Sequence, residues 1–213
     1  MNEIRKKIEQ YILGACIIEG TAIESVQFLS EKNFSVYDYD HRLIFQAIKS
    51  MNGKQPIDIA TVSFYMIKTH GKEYLNYILE LTSLVGSTHN IQHHSAILLQ
   101  IDMSEKLLNM FNHLVIDSRL NTLDVAILND VMNDLKVNDV AIWESVPAIL
   151  VLFKQKKVSQ ILIDELTSFN QVINKKITQV RENTQRNEIL HAVYRLCKTD
   201  IQKYYFNQLK ESL

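Results

Sequence analysis

Apolar residues recur every three or four positions along most of this chain, which is the spacing of one face of an amphipathic helix. The first helix is predicted by a stripe that comprises Ile4, Ile8, Tyr11, Ile12, Ala15 and Ile18. Gly20 marks the end of this helix. Thr21 is then predicted to cap a second helix that runs to Leu29.

Turn and capping residues divide the rest of the first half into short helices. Asp38 or Asp40 is predicted to cap a helix over residues 41–51. Asp58 is predicted to cap the next helix, because a carboxylate at this position accepts hydrogen bonds from the first backbone N–H groups. Gly71 is the predicted C-terminal stop of that helix.

Longer helices are predicted in the second half. Asn90 opens a helix that continues past residue 112, and Thr122 or Asp124 caps another that reaches about residue 137. One or two long helices are predicted between Val158 and Leu209, with Arg181 to Glu188 as either a turn or an exposed helix face.

The composition agrees with a helical chain. Of its 213 residues 46% are hydrophobic, and the five Gly and two Pro are too few for a many-stranded β fold. We therefore predict an all-α protein with a compact multi-helix domain over residues 1–110. Residues 111–213 are predicted to form a helical hairpin or extension.

Charge is balanced overall but not along the chain. The formal net charge of −1 argues against strong non-specific binding of DNA by the whole chain. Residues 101–153 carry three Lys and Arg against eight Asp and Glu, whereas residues 154–213 carry eleven against six. An acidic block followed by a basic one favours pairing within the chain or between subunits, and a nucleic-acid contact is the alternative.

The motif for nucleotide hydrolysis is not found in the sequence. A P-loop needs closely spaced glycines that present backbone N–H groups to phosphates, followed by Lys and Ser or Thr. The five glycines do not frame such a pair: Gly14, Gly20, Gly53, Gly71 and Gly86. We therefore predict that this chain is not an enzyme and holds no cofactor.

The histidines do not form a marked catalytic or metal site. His89 and His93 lie one helical turn apart, which is a spacing that can bind a metal, but the sequence marks no third ligand. His41 lies at a predicted helix start without a nucleophile or carboxylate marked beside it. Structural roles are therefore predicted for the histidines, and no metal site is predicted.

The cysteines and the hydropathy of the chain predict the cellular compartment in which the protein is found. Cys16 and Cys197 lie far apart within apolar-periodic stretches, so both are predicted to be buried and reduced. The sequence contains neither a signal-peptide pattern at its start nor a run of about 18 uncharged apolar residues. We expect a cytoplasmic protein that does not bind a membrane.

Two motifs in the first hundred residues match a known pattern. Glu9-Gln10-Tyr11-Ile12-Leu13-Gly14 looks like "E-x-x-x-L-G", and residues 41–48, His-Arg-Leu-Ile-Phe-Gln-Ala-Ile, look like "H-R-x-I-F-x-A-I". Around them, in the same order as in the family, stand Phe34, Pro56-Ile57-Asp58, Tyr74-Leu75 and Asn90-Ile91. Residues 9 to about 108 therefore resemble the N-terminal domain of DnaB-type replicative helicases.

The chain departs from that family at several points. The Gly-Gly pair that usually precedes "Y-L" is replaced by the shorter Gly71-Lys72-Glu73, and His94 stands where the family has a Tyr. The family continues into a RecA-like ATPase with a P-loop, which this sequence does not contain. In the second half we find a similar helical character but no motif.

The resemblance implies a non-catalytic module that acts in DNA replication through protein–protein contacts. Family domains of this kind dimerise and form a collar that docks primase. We therefore expect a homodimer or higher oligomer, with a replicative helicase, primase or helicase loader as partner. Surfaces around Phe28 and Phe34, or around Ile12 and Ile18, are the predicted docking regions.

One set of residues belongs to the family motifs, and a second set consists of candidate nucleic-acid contacts. The family-motif positions, predicted to be structural, are Gly14, Phe34, His41, Arg42, Phe45, Pro56, Asp58 and Asn90. The alternative function is a nucleic-acid-binding accessory protein that uses its basic C-terminal helices. Its candidate contacts are Lys154, Lys156, Lys157, Lys175, Lys176, Arg181 and Arg186.

Overall fold

Helices account for every regular element in the part of the chain that the structure, a computed structural model, describes: residues 2–34, 39–116, 120–137 and 142–196. The α-helices are α1 (Asn2–Ile18), α2 (Tyr39–Met51), α3 (Ile59–His70), α4 (Leu75–Ser83), α5 (Ile91–Val115), α6 (Thr122–Val137), α7 (Ile142–Lys156) and α8 (Gln160–Leu196). Two 3-10 helices, Gly20–Val26 and Glu31–Asn33, lie between α1 and α2. The prediction of an all-α fold is confirmed.

The chain divides into two compact units. The N-terminal unit contains residues 2–98 together with 180–196, and the middle unit contains residues 99–179. Helices α5 and α8 therefore contribute residues to both units. The division at residue 110 stays a prediction, because compactness alone does not identify the parts of a chain that evolve or fold separately.

The core of the N-terminal unit draws its largest buried side chains from α1, α2 and the segment between them, and α3, α4 and α5 add further buried residues. Its largest fully buried side chains are Ile12, Leu13, Ile17, Ile23, Leu29, Phe34, Ile44, Phe45, Ile48 and Met51. The apolar stripe of α1 is thus confirmed in its middle, whereas Ile4 and Ile18 at the two ends are exposed. Burial of these side chains supplies most of the driving force for folding of the unit.

Gly14 allows α1 and α4 to approach closely. A Cβ built on Gly14 would lie 2.8 Å from Cγ2 of Val85 and 2.9 Å from the carbonyl carbon of Leu81, and would come closer still to the carbonyl oxygen of Leu81. Because two of these atoms are backbone, a side-chain rearrangement cannot relieve the clash. Gly14 therefore permits close packing of the two helices.

Two predicted N-caps were wrong. Thr21 lies inside the 3-10 helix that begins at Gly20, and the N-cap residue of that helix is Glu19, without a side-chain cap hydrogen bond. Asp40 lies inside α2. Its carboxylate instead accepts a hydrogen bond of 2.6 Å from the hydroxyl of Tyr74. Asp38, the other proposed cap, lies outside the described residues.

The N-cap of α6 is Asn121, the residue before the two predicted cap positions. Asn121 Oδ1 accepts a hydrogen bond of 2.9 Å from the backbone N–H of Asp124, so Asn121 occupies the N-cap position that we had assigned to Thr122 or Asp124. Asp124 is buried, and its Oδ1 accepts a hydrogen bond of 3.0 Å from the backbone N–H of Ser159, just before α8. Asp124 therefore ties two helix starts together within the middle unit.

The turn between α7 and α8 is a Schellman motif. Lys157 has φ of 53°, in the left-handed region. The N–H of Val158 bonds to the carbonyl of Phe153 at 3.2 Å, and the N–H of Lys157 bonds to the carbonyl of Lys154 at 3.3 Å. Phe153 and Val158 are both buried, which supplies the apolar contact that accompanies this motif.

Helix α8 continues through residues 181–188, for which the sequence allowed either a turn or an exposed helix face. Residues 181–188 are helical, and the helix is described as far as Leu196. The part of the predicted helices beyond that point, and Cys197, lie outside the described residues. No helix in the described ranges combines the length and the apolar character that crossing a membrane requires.

Candidate functional site

The most conspicuous polar feature of the N-terminal unit is the environment of His41. Its side chain is 0% exposed at the start of α2. The Nδ1 atom lies 2.7 Å from Oε2 of Glu9 on α1, and the Nε2 atom lies 2.5 Å from the hydroxyl oxygen of Tyr77 on α4. Because a carboxylate only accepts, Nδ1 carries the proton in this bond. His41 therefore links three helices.

The same network continues to Arg5. Its Nε donates to Oε1 of Glu9 at 2.9 Å, and Nη2 donates to the carbonyl oxygen of Asn33 at 2.8 Å. Arg5 is nearly fully buried, and Glu9 is 0% exposed. A buried carboxylate is strongly destabilising unless it is paired and hydrogen-bonded, and here both of its oxygens have partners. We call Arg5, Glu9, His41 and Tyr77 the buried polar network.

Arg42 anchors the segment that precedes α2. Its Nε donates to the carbonyl oxygen of Phe34 at 3.1 Å. The Phe34 ring packs on that of Phe45 with centroids 4.4 Å apart, and both rings are fully buried. Three of the family-motif positions thus act together to hold the chain where it enters α2.

Asp58 and Pro56 organise the start of α3. Asp58 Oδ1 accepts from the N–H of Thr61 at 2.8 Å, and the Thr61 hydroxyl returns the bond by accepting from the N–H of Asp58 at 3.0 Å. The predicted N-cap is confirmed as a reciprocal capping box. The backbone N–H of Thr61 holds the pKa of Asp58 below its usual range.

The histidines around the start of α5 make local contacts. The carbonyl oxygen of Asn90 accepts from Nδ1 of His94 at 2.8 Å. The His94 ring lies 4.2 Å from that of Tyr11, so it packs as an aromatic ring where the family has a Tyr. Among the described residues, no group of three His, Cys, Asp or Glu side chains is arranged to hold a metal ion.

The docking surfaces predicted from the sequence were largely wrong. Phe28, Phe34 and Ile12 are buried in the core, because each continues the apolar face of its segment. Of the four residues named for docking, only Ile18 is substantially exposed. Exposed apolar side chains lie elsewhere in the N-terminal unit, the largest being Phe64 on α3.

The basic candidates are divided between the two units. Lys154, Lys156 and Lys157 are exposed at the end of α7, and Lys175 is exposed on α8, all in the middle unit. The half-buried Lys176 belongs to the same unit, whereas the exposed Arg181 and Arg186 belong to the N-terminal unit. Their role in nucleic-acid binding stays a prediction.

Sequence reasoning did not assign roles to three members of the buried polar network. Glu9 was part of a quoted motif, but Arg5 and Tyr77 were not singled out. Arg5 and Glu9 stand four residues apart on α1, and Glu9 falls next to the apolar stripe, which is a local signal of a buried pair. The bond to Tyr77 has no local signal, because 36 residues separate it from His41.

The chemistry available at the buried polar network is structural. The residues donate and accept hydrogen bonds among three helices, and His41 is closed off from solvent. Burial likewise raises the pKa of the Cys16 thiol, so this cysteine is held in its unreactive protonated form.

Comparison with known proteins finds similarity over the first half of the chain. The family described as "DnaB-like helicase N terminal domain" matches residues 2–100. The chain is also similar to the replicative DNA helicase DnaB of Rhodothermus marinus, with 34% identity over 107 residues, which is 48% of this chain and 11% of that protein. It is similar to the replicative DNA helicase DnaB of Buchnera aphidicola subsp. Baizongia pistaciae (strain Bp), with 30% identity over 112 residues, 50% of this chain and 24% of that protein.

These matches confirm the resemblance inferred from the motifs and extend it to residue 2. The chain spans a quarter or less of the length of these two curated relatives. The matched family is the helicase N-terminal domain, which is distinct from the catalytic ATPase domain. Residues 2–100 are therefore similar to the DnaB-like helicase N-terminal domain.

Proposed function

We propose that this protein is a non-catalytic, replication-associated interaction module similar to the helicase collar, which self-associates and docks a replicative helicase, primase or helicase loader. The observation that carries the proposal is the match of residues 2–100 to the helicase N-terminal domain. The relatives are named as replicative DNA helicases, so replication is the process to which the match points.

The burial of the motif residues supports an interaction role over a catalytic one. Glu9, His41 and Phe45 are fully buried, so they shape the fold and do not present groups to a substrate. Binding then depends on exposed side chains. Phe64 is 68% exposed, and Ile67 is exposed one turn further along α3. Apolar side chains of this size at a surface are typical of the centre of protein–protein interfaces.

A capture experiment tests the proposal. The tagged full chain is used as bait in its native host, and recovered proteins are identified by mass spectrometry and then tested for direct binding as purified proteins. We expect a replicative helicase, primase or loader to be recovered. Failure to bind any of these three classes directly would contradict docking as the function.

A matched pair of surface variants locates the binding face. Phe64→Ser removes an exposed apolar side chain from α3, whereas Thr69→Ala changes an exposed residue that the helical period places on a different face of the same helix. We expect Phe64→Ser to weaken partner binding at least about tenfold, as truncation of an aromatic interface residue commonly does. Unchanged binding by the Phe64→Ser variant would exclude the Phe64 face but not docking itself.

Nucleic-acid binding is the second candidate, and one observation favours it. Lys154, Lys156 and Lys157 are exposed together at the end of α7. If these residues contact phosphates, DNA affinity should fall steeply with salt, and the triple Ala variant should reduce the slope. Salt-insensitive or undetectable DNA binding by a protein that binds a replication partner would leave the interaction module as the function.

A further inference from the structure

Helix α3 presents large apolar side chains to solvent. Phe64 is 68% exposed and Ile67 is 47% exposed. The residues of α3 that are buried, Val62, Ser63 and Met66, lie on the other side of the helix. We propose that the exposed side of α3 docks an acidic amphipathic helix of a partner protein. The inference rests on the proposed docking function, because it names the chemistry of the partner that covers this face.

The exposed residues of α3 form one continuous face. Ala60, Phe64, Ile67 and Lys68 are exposed, and they recur at the three- and four-residue spacing of one side of a helix. We call these four residues the α3 face. Phe64 lies one turn before both Ile67 and Lys68, so the Cβ atoms of these neighbours are about 5–6 Å apart. An apolar anchor therefore stands directly beside a basic side chain.

The charge of the α3 face is positive. Helix α3 contains no Asp or Glu, and Lys68 is the Lys or Arg within it. Lys68 forms no ion pair with a residue that the structure describes. Lys72, just beyond the helix, is already paired with Asp40 at 3.3 Å. Lys68 is therefore the charge that this face offers to a partner.

The carboxylates closest to α3 along the chain lie off this face. Asp58 caps the first turn, where its Oδ1 accepts from the N–H of Thr61 at 2.8 Å. It precedes Lys68 by about 15 Å along the helix axis. Glu73 follows Gly71, whose left-handed conformation ends the helix. The complementary negative charge is therefore expected from the partner.

An acidic amphipathic helix complements both properties of the α3 face. Its apolar stripe would remove Phe64 and Ile67 from water, which is the contribution that dominates affinity at most interfaces. A carboxylate beside that stripe would meet Lys68 and set the choice of partner and the rate of association. A basic helix could bury the same apolar side chains but would place like charges together, which disfavours it.

Two synthetic peptides that differ only in charge test the inference on the full chain. Each has about 18 residues, a length that supports a helix in water, with Leu and Phe at every third or fourth position. One carries Glu beside this stripe and the other carries Lys, and both have a fluorophore whose anisotropy is followed. We expect saturable binding of the acidic peptide that weakens with added salt, and binding of the basic peptide that is at least about tenfold weaker.

Variants of the full chain locate the contact. Phe64→Ser should weaken binding of the acidic peptide at least about tenfold. Lys68→Glu should weaken binding of the acidic peptide and strengthen that of the basic one. The matched control is Lys32→Glu, which reverses an exposed charge in the 3-10 helix Glu31–Asn33 and should leave both affinities unchanged. Circular dichroism checks that each variant keeps its helical fold.

Three results would overturn the inference. The first is equal affinity of the two peptides, or no saturable binding of the acidic one. The second is unchanged binding of both peptides by Lys68→Glu. The third is an oligothymidine that displaces the acidic peptide and loses its own binding in Phe64→Ser and Lys68→Glu, because nucleic acid would then be the occupant of the α3 face.

Purified replication proteins separate this inference from the function beneath it. A helicase, primase or loader whose binding is lost in Phe64→Ser but unchanged in Lys68→Glu overturns the acidic partner and leaves docking standing. Charge-selective peptide binding on the α3 face, by a chain that binds none of these three classes, supports the inference and contradicts the proposed function.

Discussion

The N-terminal unit and the middle unit use their polar residues in opposite ways. In the N-terminal unit, Arg5, Glu9 and His41 are buried and bonded to one another, and they connect α1 to α2 and α4. In the middle unit, the lysines at the end of α7 are exposed, and the buried carboxylates bond locally. Asp124 ties two helix starts together, and Asp102 pairs with Lys106 one turn along the same helix.

This difference shows that the recognisable motifs of the sequence describe the fold of the N-terminal unit. The motifs that identify the family are concentrated in the N-terminal unit, and most of their side chains complete the fold. The residues most free to set partners lie on exposed surfaces, in both units, where no motif was recognised. A family signature of this kind therefore identifies the scaffold, and specificity has to be sought on the faces around it.

The largest effect should follow from breaking the buried polar network. Glu9→Ala leaves Arg5 and His41 buried without their shared carboxylate, and removal of one partner of a buried ion pair typically costs about 3–5 kcal/mol. Urea unfolding followed by circular dichroism measures the loss.

A matched variant on the same helix controls that experiment. Glu3 pairs with Lys7, but its side chain is 83% exposed, so Glu3→Ala should change stability by less than about 0.5 kcal/mol. Similar losses of stability in the two variants would show that the buried polar network stabilises the protein no more than an exposed ion pair does.

Gly14→Ala should give the next largest effect. The added methyl group would clash with the backbone of Leu81 on α4, and overpacking of this kind costs about 1–3 kcal/mol. Gly86→Ala is the control, because a Cβ at that position meets nothing within 4 Å. Thermal unfolding of the two variants tests the prediction, and an unchanged melting temperature for Gly14→Ala would mean that α1 and α4 need not approach so closely.

Asp58→Ala should destabilise the N-terminal unit by about 1 kcal/mol, since it removes the N-cap of α3. Because the folded pKa of Asp58 is lowered, its charge stabilises the protein above the ordinary Asp value, about pH 4, and that contribution is lost as the pH falls through the lower folded pKa. Asp58→Asn keeps a capping acceptor without the charge. Its stability relative to the natural protein should therefore improve as the pH drops below about 4, and a difference that does not vary with pH would contradict this role of the charge.

The smallest effect is expected in the middle unit, and it has the opposite sign. Lys157 adopts φ of 53°, which glycine tolerates at no steric cost, so Lys157→Gly should stabilise the protein by roughly 0.5 kcal/mol. Lys156→Gly, in the last turn of α7, removes the same charge but should destabilise the helix by about as much. Chemical unfolding of the pair tests the turn, and destabilisation by both would argue against the left-handed conformation.

Local signals made several features predictable from the sequence. Asp58 and Gly71 mark the two ends of α3, and the structure shows the capping box and the left-handed C-cap there. Phe45 and its neighbours on α2 follow the helical period, so their burial could be predicted. These features depend on residues within one or two turns of each other, where spacing alone determines which groups meet.

Other features depend on tertiary packing and had no such signal. The bond from His41 to Tyr77 joins residues that only the folded chain brings together. Phe34 lies in the connection before α2, where no periodic stripe revealed that it faces the core. The left-handed turn at Lys157 was equally hidden, because the residue is not the glycine that usually marks it.

The central claim is that this chain is an association module, and its mass in solution tests that claim most directly. Multi-angle light scattering of the full chain across a range of concentrations gives the number of chains per particle. We expect a particle of at least two chains, present at the higher concentrations and dissociating only on dilution. A mass equal to one chain at every concentration would contradict self-association.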